Sequence, residues 1–306
     1  MPLPFFKKIR AMEEAIKKAA VLIEALPYIQ AFRDKIIVIK FGGSAMTDEG
    51  ILSSVLQDVV FMESVGMRPV LVHGGGPYIT EEMAKKGKEP RFLEGHRVTD
   101  KETLDIAIDV LVNRVSASIA SKIASLGGSG VCTWHNGKSL LKAEKYLLET
   151  KDEAGSTRLL DLGFVGRVTQ MDKQTFYEIC KAGKIPVVPP IAQGQNGEMF
   201  NINADSAAAF IAESLKAEKI VFLSNTHGIM TDPKKENSFA STLHEKEVYT
   251  LIEQKIITGG MLPKARACIS ALLAGVKKAH IIDGRIPHSL LLEIFTDKGI
   301  GTQIIV

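Results

Sequence analysis

The sequence is short of several features that define other classes of protein. Its three cysteines, Cys132, Cys180 and Cys268, lie far apart and show no C-x-x-C spacing. This spacing speaks against a disulfide framework or a structural zinc site and favours a reducing compartment. No apolar run approaches the length that spans a membrane, and no signal-peptide pattern is visible. We therefore expect a cytoplasmic protein without a membrane partner.

The chain also has few Trp and Tyr residues and a small net charge. The chain has one Trp and five Tyr, and its formal net charge is +3 with both signs interspersed. We therefore expect no nucleic-acid partner, because such proteins usually carry a basic stripe and aromatic stacking platforms. With 306 residues, of which 45% are hydrophobic and 24% charged, the chain suffices for one large domain or two coupled lobes.

The first glycine-rich stretch, Lys35–Met46, is neither a Walker A sequence nor a G-x-G-x-x-G motif. Its apolar run Ile36–Ile39 predicts a strand buried on both faces, as in parallel sheets. Lys40 follows at the carboxyl end, where such sheets bind ligands, and Gly42 and Gly43 allow a close approach of backbone N–H groups to an anion. The stretch predicts a phosphate site, unless Lys40 merely points to solvent and the glycines only form a turn.

The same arrangement recurs at Pro69–Pro77, where the apolar run Val70–Val72 is followed by Gly74–Gly76. Three successive glycines are costly in conformational entropy, which favours a close approach by a ligand or another backbone segment. A helix predicted over Gly50–Val65 separates the two strands and indicates a parallel β-α-β unit. A third glycine loop, Ile257–Lys264, ends in a second lysine.

The segment Phe5–Leu26 has apolar residues at the three- and four-residue spacing of an amphipathic helix. It precedes the first strand, where a compact α/β domain does not need it. Two alternatives remain open: the helix packs on its own subunit, or it pairs with the same helix of a neighbour and builds an oligomer.

Two further stretches carry polar groups suited to a site. In Phe92–Asp100, His96 and Arg97 could meet a carboxylate, for which Arg is the best-shaped partner, although a solvated or salt-bridged loop arginine is the alternative. In the segment FNINADS, three polar residues alternate with apolar ones and project to one side if the segment is extended; they are Asn201, Asn203 and Asp205. We expect Asp205 to cap a helix over 207–215, which is compatible with an active-site role, and Asn201 and Asn203 have a turn role as the alternative.

The remaining elements follow from periodicity and turn residues. We expect helices over Tyr78–Lys86, Lys101–Leu126 (capped by Thr99 or Asp100), Lys173–Ala182, Glu245–Gln254, Lys264–Leu273 and Ser289–Phe295, and strands over Gly163–Val168, Ile185–Pro190, Lys219–Leu223, His280–Ile282 and Thr302–Val306. We expect hairpins and an exposed loop within Gly130–Asp161, and a hairpin or disorder in the polar insertion Thr231–Ser241.

Five motifs in this order, IKFGGS, VHGGGP, GHRVTD, FNINADSAA and ITGGMLPK, resemble those of the N-acetylglutamate kinases of the amino acid kinase superfamily. The resemblance implies a three-layer α/β/α sandwich around a mainly parallel eight-stranded sheet. It also implies an N-terminal oligomerisation helix in residues 1–30, a lobe for N-acetyl-L-glutamate in 31–217 and a nucleotide lobe in 218–306. The implied reaction is ATP-dependent phosphorylation of the γ-carboxylate to N-acetyl-L-glutamyl 5-phosphate in arginine biosynthesis.

The resemblance also implies roles for individual residues. Lys40 and Lys264 correspond to the lysines that contact the transferring phosphoryl group, and Asp205 to the carboxylate that orients both. The residues that correspond to acyl-amino-acid ligands are Gly75, Gly76, Arg97, Asn201 and Asn203, with Arg97 on the α-carboxylate, and those at the nucleotide are Gly42, Gly43, Asn225 and Gly228. Because the acceptor carboxylate is already ionised, no general base is needed, and we expect Mg²⁺ to bind mainly through the nucleotide, with few direct protein ligands.

The N-terminal helix and the C-terminal sequence HIIDGRIPHSLLLEIFTDKGIGT resemble the arginine-sensitive branch of this family, which forms hexamers through such helices. His280, Glu293 and Gly299 correspond to positions that hold the inhibitor L-arginine there; the alternative for Glu293 is a solvated helix glutamate. The chain departs from the family at Ser224–Gly228, which replaces a TDVDG-like acidic loop, and at Thr133–Lys138. A non-catalytic arginine or amino-acid sensor is therefore an alternative function, and a kinase for carrier-linked aminoadipate is a lesser one.

Overall fold

The computed structural model describes residues 3–151, 156–235, 238–296 and 299–306. Its helices are α1 (Leu3–Phe32), α2 (Glu49–Ser64), α3 (Gly76–Lys85), α4 (Lys101–Ile108), α5 (Ala117–Ser125), α6 (Lys173–Lys181), α7 (Ala204–Ser214), α8 (Glu245–Glu253), α9 (Met261–Leu273) and α10 (Ser289–Ile294). A short 3₁₀ segment spans Gly43–Thr47, and a π-helical segment, Asp109–Ser116, joins α4 to α5.

The strands are β1 (Ile36–Phe41), β2 (Arg68–His73), β3 (Phe92–Leu93), β4 (His96–Arg97), β5 (Gly130–Cys132), β6 (Trp134–His135), β7 (Lys138–Ser139), β8 (Leu141–Lys151), β9 (Thr157–Met171), β10 (Ile185–Val188), β11 (Ile191–Gln193), β12 (Met199–Ile202), β13 (Lys219–Ser224), β14 (Thr242–His244), β15 (Lys278–Asp283) and β16 (Thr302–Ile305).

Eight strands form the main sheet, in the order β14, β16, β15, β13, β1, β2, β10, β5. Only the β15–β16 pair is antiparallel among these neighbours. Alternate residues of β1 enter two different cores: Val38 packs with residues of α7 and α9, whereas Ile37 and Ile39 pack with α2 and the helix of residues 101–125. This confirms the predicted mainly parallel eight-stranded sheet between two helical layers, and it explains why β1 is apolar on both faces.

A second, four-stranded sheet closes on itself through β11, β12, β9 and β8. The hairpin of β8 and β9 is much longer than the predicted strand Gly163–Val168, and residues 152–155 of the predicted exposed loop lie outside the described residues. Much of the outer end of this hairpin is exposed, so hydrogen bonds between the two main chains, rather than burial of apolar side chains, hold the strands together there. A hydrophobic pattern cannot report such a strand.

The predicted long helix extends from Lys101 to Ser125. Of the two predicted caps, Thr99 and Asp100, it is Asp100 that caps this helix, because its Oδ1 accepts a hydrogen bond from the Thr103 N–H at 2.8 Å. The π-helical segment in the middle of this helix was not predicted.

Helix α1 runs to Phe32, beyond the predicted end at Leu26, although Pro27 lies inside it. Its last turn is docked, because Tyr28 makes an edge contact with Phe295 at 6.2 Å between ring centroids. Upstream, six apolar side chains are 44–70% exposed: Met12, Ile16, Val21, Leu22, Ile23 and Leu26. The alternative in which this face packs on its own subunit is therefore wrong for these residues. Within the described ranges, the length and apolarity needed to cross a membrane are found in no helix.

Candidate active site

Two glycine loops touch each other at the carboxyl ends of β1 and β2. The Gly74 N–H donates to the Phe41 carbonyl at 2.7 Å. A Cβ atom on Gly74 would lie 3.1 Å from the Gly42 Cα, and one on Gly42 would lie 2.9 Å from the Lys40 Nζ. The close approach therefore favours glycine at both positions and places Lys40 beside both loops.

Lys40, Asp205 and Lys264 meet in the same cleft. The Lys40 Nζ is 2.8 Å from Asp205 Oδ1, and the Lys264 Nζ is 3.1 Å from Asp205 Oδ2. Lys40 and Asp205 are buried, and the Lys264 side chain is 15% exposed. Each comes from a different element, respectively β1, the first turn of α7 and the first turn of α9. The structure thus brings together the three residues that the sequence nominated for catalysis.

The electrostatics of this cluster favour an anionic ligand. Burial would raise the pKa of Asp205, but the nearby Lys40 and Lys264 outweigh it and hold that pKa below its ordinary value. Burial lowers the pKa of Lys40, and repulsion from Lys264 adds to this, although Asp205 opposes both. The Lys40–Asp205 contact is a close charge contact without good hydrogen-bond alignment, since no aligned donor reaches Asp205 Oδ1 within the described part of the chain. Two cations against one carboxylate leave surplus positive charge for a phosphoryl group.

The predicted cap of α7 is wrong. Asn203, not Asp205, caps this helix, because its Oδ1 accepts from the N–H groups of Asp205 at 2.9 Å and Ser206 at 3.1 Å. The helix therefore begins at Ala204 rather than at 207, and Asp205 is a helical residue whose carboxylate is free to reach both lysines. Asn203 lines the cleft, but its side-chain oxygen is already used by the backbone, which leaves only its amide N–H₂ for a ligand.

A cavity of about 210 Å³ opens beside this cluster. Its polar or glycine lining includes most of the predicted site residues, namely Lys40, Gly43, Gly75, Gly76, Arg97, Asn201, Asn203 and Asp205. The N-terminus of α3, at Gly76 and Pro77, borders the same space, and the positive end of a helix suits a negatively charged ligand.

Arg97 is the positive group at the other side of this cavity. It is only 7% exposed, so the alternative of a solvated loop arginine is wrong. Its Nη2 donates to the Gly76 carbonyl at 3.0 Å and to Thr80 Oγ1 at 2.8 Å, and its guanidinium lies 4.6 Å from the centre of the Phe92 ring. Burial lowers the pKa of Arg97. The guanidinium is therefore oriented before any ligand binds.

Thr99 connects Asn201 to Arg97 and was not identified from the sequence as a site residue. Its Oγ1 donates to the Arg97 carbonyl at 2.7 Å and accepts from the Asn201 amide at 3.2 Å. Thr99 has no exposed surface. Its position between a β-strand and a helix cap looked purely structural, so no local signal distinguished it.

The loop Ser224–Gly228 lies at the end of β13, and neither Asn225 nor Gly228 lines the cavity beside Lys40 and Asp205. Lys264 reaches Asp205 without lining that cavity. Gly228 instead packs against Thr302, which leaves no room for a Cβ atom. His227 lies 3.2 Å from Asp283, which also holds Arg285. Nucleotide roles for Asn225 and Gly228 stay predictions.

A second cavity, of about 290 Å³, contains His280, Glu293 and Gly299. Glu293 is 5% exposed, so the alternative of a solvated helix glutamate is wrong. Its Oε1 accepts from Lys219 at 2.7 Å and lies 3.0 Å from the His280 Nε2. Burial would raise the pKa of Glu293, but His280 and Lys219 together lower it to about 2. Lys219 was missed, because a lysine at the start of a strand is usually exposed.

Among the described residues, no group of three or more His, Cys, Asp or Glu side chains is arranged to hold a metal ion. In the active-site cleft, the carboxylate of Asp205 is already shared by two lysines. A divalent cation there would depend mainly on oxygen atoms that a ligand supplies.

The family model and the curated relatives that match this chain agree on one family. A model described as "Amino acid kinase family" matches residues 35–283. The acetylglutamate kinase of Pelotomaculum thermopropionicum is 47% identical over 94% of this chain and 98% of its own length, and that of Methanocaldococcus jannaschii is 46% identical over 96% and 98%.

Solved structures show the same fold. N-acetylglutamate synthase from Neisseria gonorrhoeae, complexed with coenzyme A and N-acetyl-glutamate, matches 94% of this chain and 63% of that longer chain, with a TM-score of 0.79 and 28% identity. The same synthase complexed with coenzyme A and L-arginine matches with a TM-score of 0.73 over 94% and 65%. Carbamate kinase from Giardia lamblia bound to AMP-PNP, at 14% identity, covers 89% and 98% with a TM-score of 0.60 and shows the fold alone.

Proposed function

Since this chain belongs to the acetylglutamate kinases of the amino acid kinase family, we propose that it transfers the γ-phosphoryl group of ATP to the γ-carboxylate of N-acetyl-L-glutamate. The observation that carries the proposal is the convergence of Lys40 and Lys264 on Asp205 beside a cavity that contains Arg97. The product is N-acetyl-L-glutamyl 5-phosphate, an intermediate of arginine biosynthesis, and we infer a cytoplasmic location.

In this proposal Arg97 binds the α-carboxylate of the acceptor, and the γ-carboxylate extends towards Lys40. The carboxylate oxygen attacks the γ-phosphorus of ATP, a P–O bond forms to it, and the bond to ADP breaks. The acceptor is ionised at neutral pH and transfers no proton, so the protein has only to align the reactants and stabilise negative charge. Lys40 and Lys264 supply that charge, and Asp205 holds them in place when the cleft contains no phosphate.

ATP and Mg²⁺ are the cofactors that this chemistry requires. Mg²⁺, when bound through the phosphates, neutralises part of their charge. The backbone N–H groups of the loop at Gly43 add to the neutralisation that Lys40 and Lys264 supply. The reach of the nucleotide to Asn225 and Gly228 is part of this proposal.

An ADP-release assay tests the substrate. We expect the highest kcat/KM with N-acetyl-L-glutamate among a panel that includes glutamate, aspartate and carbamate. Best turnover of an unacetylated amino acid would contradict the proposal. Calorimetric titration with MgATP separates a kinase from the alternative of a non-catalytic sensor, because absence of binding would favour the sensor.

We further propose that L-arginine inhibits the enzyme from the second cavity. Glu293 is suited to a guanidinium group, and the His280 Nδ1 is buried without a hydrogen-bond partner among the described residues. Gly299 leaves room beside the Glu293 carboxylate, where a Cβ atom would be 2.8 Å from Oε2. The synthase structure with bound L-arginine supports this reading.

The exposed apolar residues of α1 favour a homo-oligomer, which we propose to be a hexamer built from dimers through pairing of these helices. The division into a helix of residues 1–30, an acyl-amino-acid lobe of 31–217 and a nucleotide lobe of 218–306 is part of the same proposal. Light scattering of the intact protein measures the assembly, and a monomer would contradict it.

A further inference from the structure

A histidine that the proposed phosphoryl transfer does not use lies directly behind the active site. His73 ends β2, immediately before Gly74, and has no exposed surface. Both of its ring nitrogens have partners: Nδ1 lies 2.8 Å from the Gly74 carbonyl oxygen, and Nε2 lies 2.7 Å from Ser116 Oγ. Ser116 is equally buried.

The directions of these two hydrogen bonds follow from chemistry. A carbonyl oxygen only accepts, so the proton must be on Nδ1. Burial lowers the pKa of His73 to about 4, although the bond to Gly74 opposes this, so the ring is neutral near pH 7. The Nε2 atom is then an acceptor, and the Ser116 hydroxyl donates to it. The serine therefore selects the ring tautomer that can hold the Gly74 carbonyl.

Fixing this carbonyl also fixes the next N–H group. The peptide bond is planar and trans, so the Gly74 carbonyl and the Gly75 N–H point in opposite directions. Gly75 lines the cavity beside Lys40, and its N–H has no partner within the described part of the chain. With the carbonyl turned towards His73, that N–H is turned away from the protein interior.

Two residues of the π-helical segment Asp109–Ser116 hold this glycine loop in place, Leu111 by packing on Gly75 and Ser116 through His73. Leu111 packs on Gly75 so closely that a Cβ atom would not fit there, and Ser116 binds His73. A π-helical turn changes the register of side chains along a helix and is frequent at functional sites. This local distortion of the long helix thus places two side chains against one loop.

We propose that Ser116 and His73 form a positioning relay that directs the Gly75 N–H at the non-attacking oxygen of the acceptor γ-carboxylate. The inference rests on the proposed function and deepens it, since it assigns a donor to the second oxygen of the reacting group. The relay acts on alignment, so it affects kcat more than the KM for N-acetyl-L-glutamate.

Two substitutions of His73 distinguish this role from space filling. The His73→Asn amide nitrogen falls near the position of Nδ1 and can still donate to Gly74, whereas the larger His73→Gln amide falls near Nε2. We expect His73→Asn to retain kcat within about fivefold and His73→Gln to lower kcat by about tenfold or more. If His73→Gln equals or exceeds His73→Asn in kcat, the relay is overturned. Thermal melting of both variants shows whether they fold.

A serine pair gives a matched control on the same helix. We expect Ser116→Ala to lower kcat about tenfold with little change in KM, because the histidine loses the donor that selects its tautomer. Ser118→Ala, at an exposed position two residues away, should retain the wild-type kcat. Equal kcat values for the two variants would contradict the relay.

Nitrogen-15 NMR of histidine-labelled protein measures the tautomer without any turnover. At pH 7 we expect wild-type His73 to carry its proton on Nδ1, with the signal assigned by its loss in His73→Asn. A proton on Nε2, or a doubly protonated ring, would overturn the relay even if the enzyme is fully active. Conversely, absence of turnover with N-acetyl-L-glutamate would overturn the proposed function, whatever the tautomer.

Discussion

The buried charge clusters around Lys40 and Lys219 lie at opposite ends of the neighbouring strands β1 and β13. They differ in the balance of positive and negative side chains. Lys40 is near the carboxyl end of β1, whereas Lys219 begins β13, and the register pairs Lys219 with Ile37. The first cluster sets two lysines against Asp205, whereas the second sets Lys219 against Glu293 with His280 alongside. Burial, together with the charge of Lys219, lowers the pKa of His280 against the pull of Glu293.

This difference indicates two kinds of ligand. Surplus positive charge at the carboxyl ends suits phosphates and carboxylates, which matches the general placement of ligands in such sheets. A balanced cluster does not attract an anion strongly, but it offers a carboxylate and a neutral imidazole to a cationic or zwitterionic ligand. The same strands thus carry the proposed reaction site at one end and the proposed arginine site at the other.

Removing one lysine of the first cluster should have the largest effect. We expect Lys40→Met or Lys264→Met to lower kcat by about 100- to 1000-fold, with a small change in KM, because each lysine stabilises charge in the transition state. Steady-state kinetics with both substrates measures this. Lys277→Met, which removes an exposed lysine paired with Glu218, is the control and should retain activity. A change confined to KM would show that the roles are misassigned.

Loss of Arg97 should affect binding rather than chemistry. Arg97→Ala removes a charge-assisted contact to the α-carboxylate, and we expect the KM for N-acetyl-L-glutamate to rise about 10- to 100-fold. The kcat should change much less. A fall in kcat at unchanged KM, measured in the same assay, would reverse the assignments of Arg97 and the lysines.

The second cluster can be changed without touching the first. We expect Glu293→Gln to weaken inhibition by L-arginine about tenfold or more, because a neutral amide does not pair with a guanidinium. Inhibition curves at fixed substrate concentrations measure the change. Retention of the wild-type inhibition constant would remove Glu293 from the arginine site.

The pH dependence of stability also separates the clusters. The folded-state pKa of Glu293 is about 2, below its ordinary value of 4.5, so its contribution is present above about pH 4.5 and is lost as pH falls towards 2. This contribution amounts to about 3 kcal/mol. Urea unfolding from pH 6 to pH 3 should show a steeper loss for wild type than for Glu293→Gln. Equal slopes would contradict the coupling of Glu293 to His280 and Lys219.

Deletion of residues 1–26 should have the smallest effect on catalysis. We expect a smaller assembly that is active but insensitive to L-arginine, because the deletion removes the part of α1 that precedes Tyr28 and Phe32, and these two residues line the second cavity. Light scattering and inhibition assays check both statements. An unchanged mass would contradict a ring built through α1.

The features that could be predicted from the sequence are those specified by neighbouring residues, such as buried strands and the glycine loops that follow them. The apolar run before Lys40 and the glycines after it specify a buried strand and a tight loop, and the main sheet follows from several such units. The cap of α7 was misassigned because Asn203 and Asp205 are both good capping residues, and only the three-dimensional position of the two lysines shows why Asp205 serves elsewhere.

Long-range partners explain the other failures. Lys219 is buried because Glu293, 74 residues later, neutralises it, and nothing near Lys219 reports this. The π-helical segment is likewise stabilised by tertiary contacts, among them that of Ser116 with His73. The packing of Gly228 against Thr302 is a further long-range contact that the sequence does not report, and its nucleotide role stays a prediction.

The central claim is that Lys40 and Lys264 act on the same phosphoryl group. A crystal structure with MgADP, N-acetyl-L-glutamate and aluminium fluoride, which mimics the transferring group, tests it most directly. We predict that both Nζ atoms lie within about 3 Å of the fluoride or flanking oxygen atoms, with Asp205 still between them. A mimic contacted by only one lysine, or lysines that point into separate cavities, would contradict the claim.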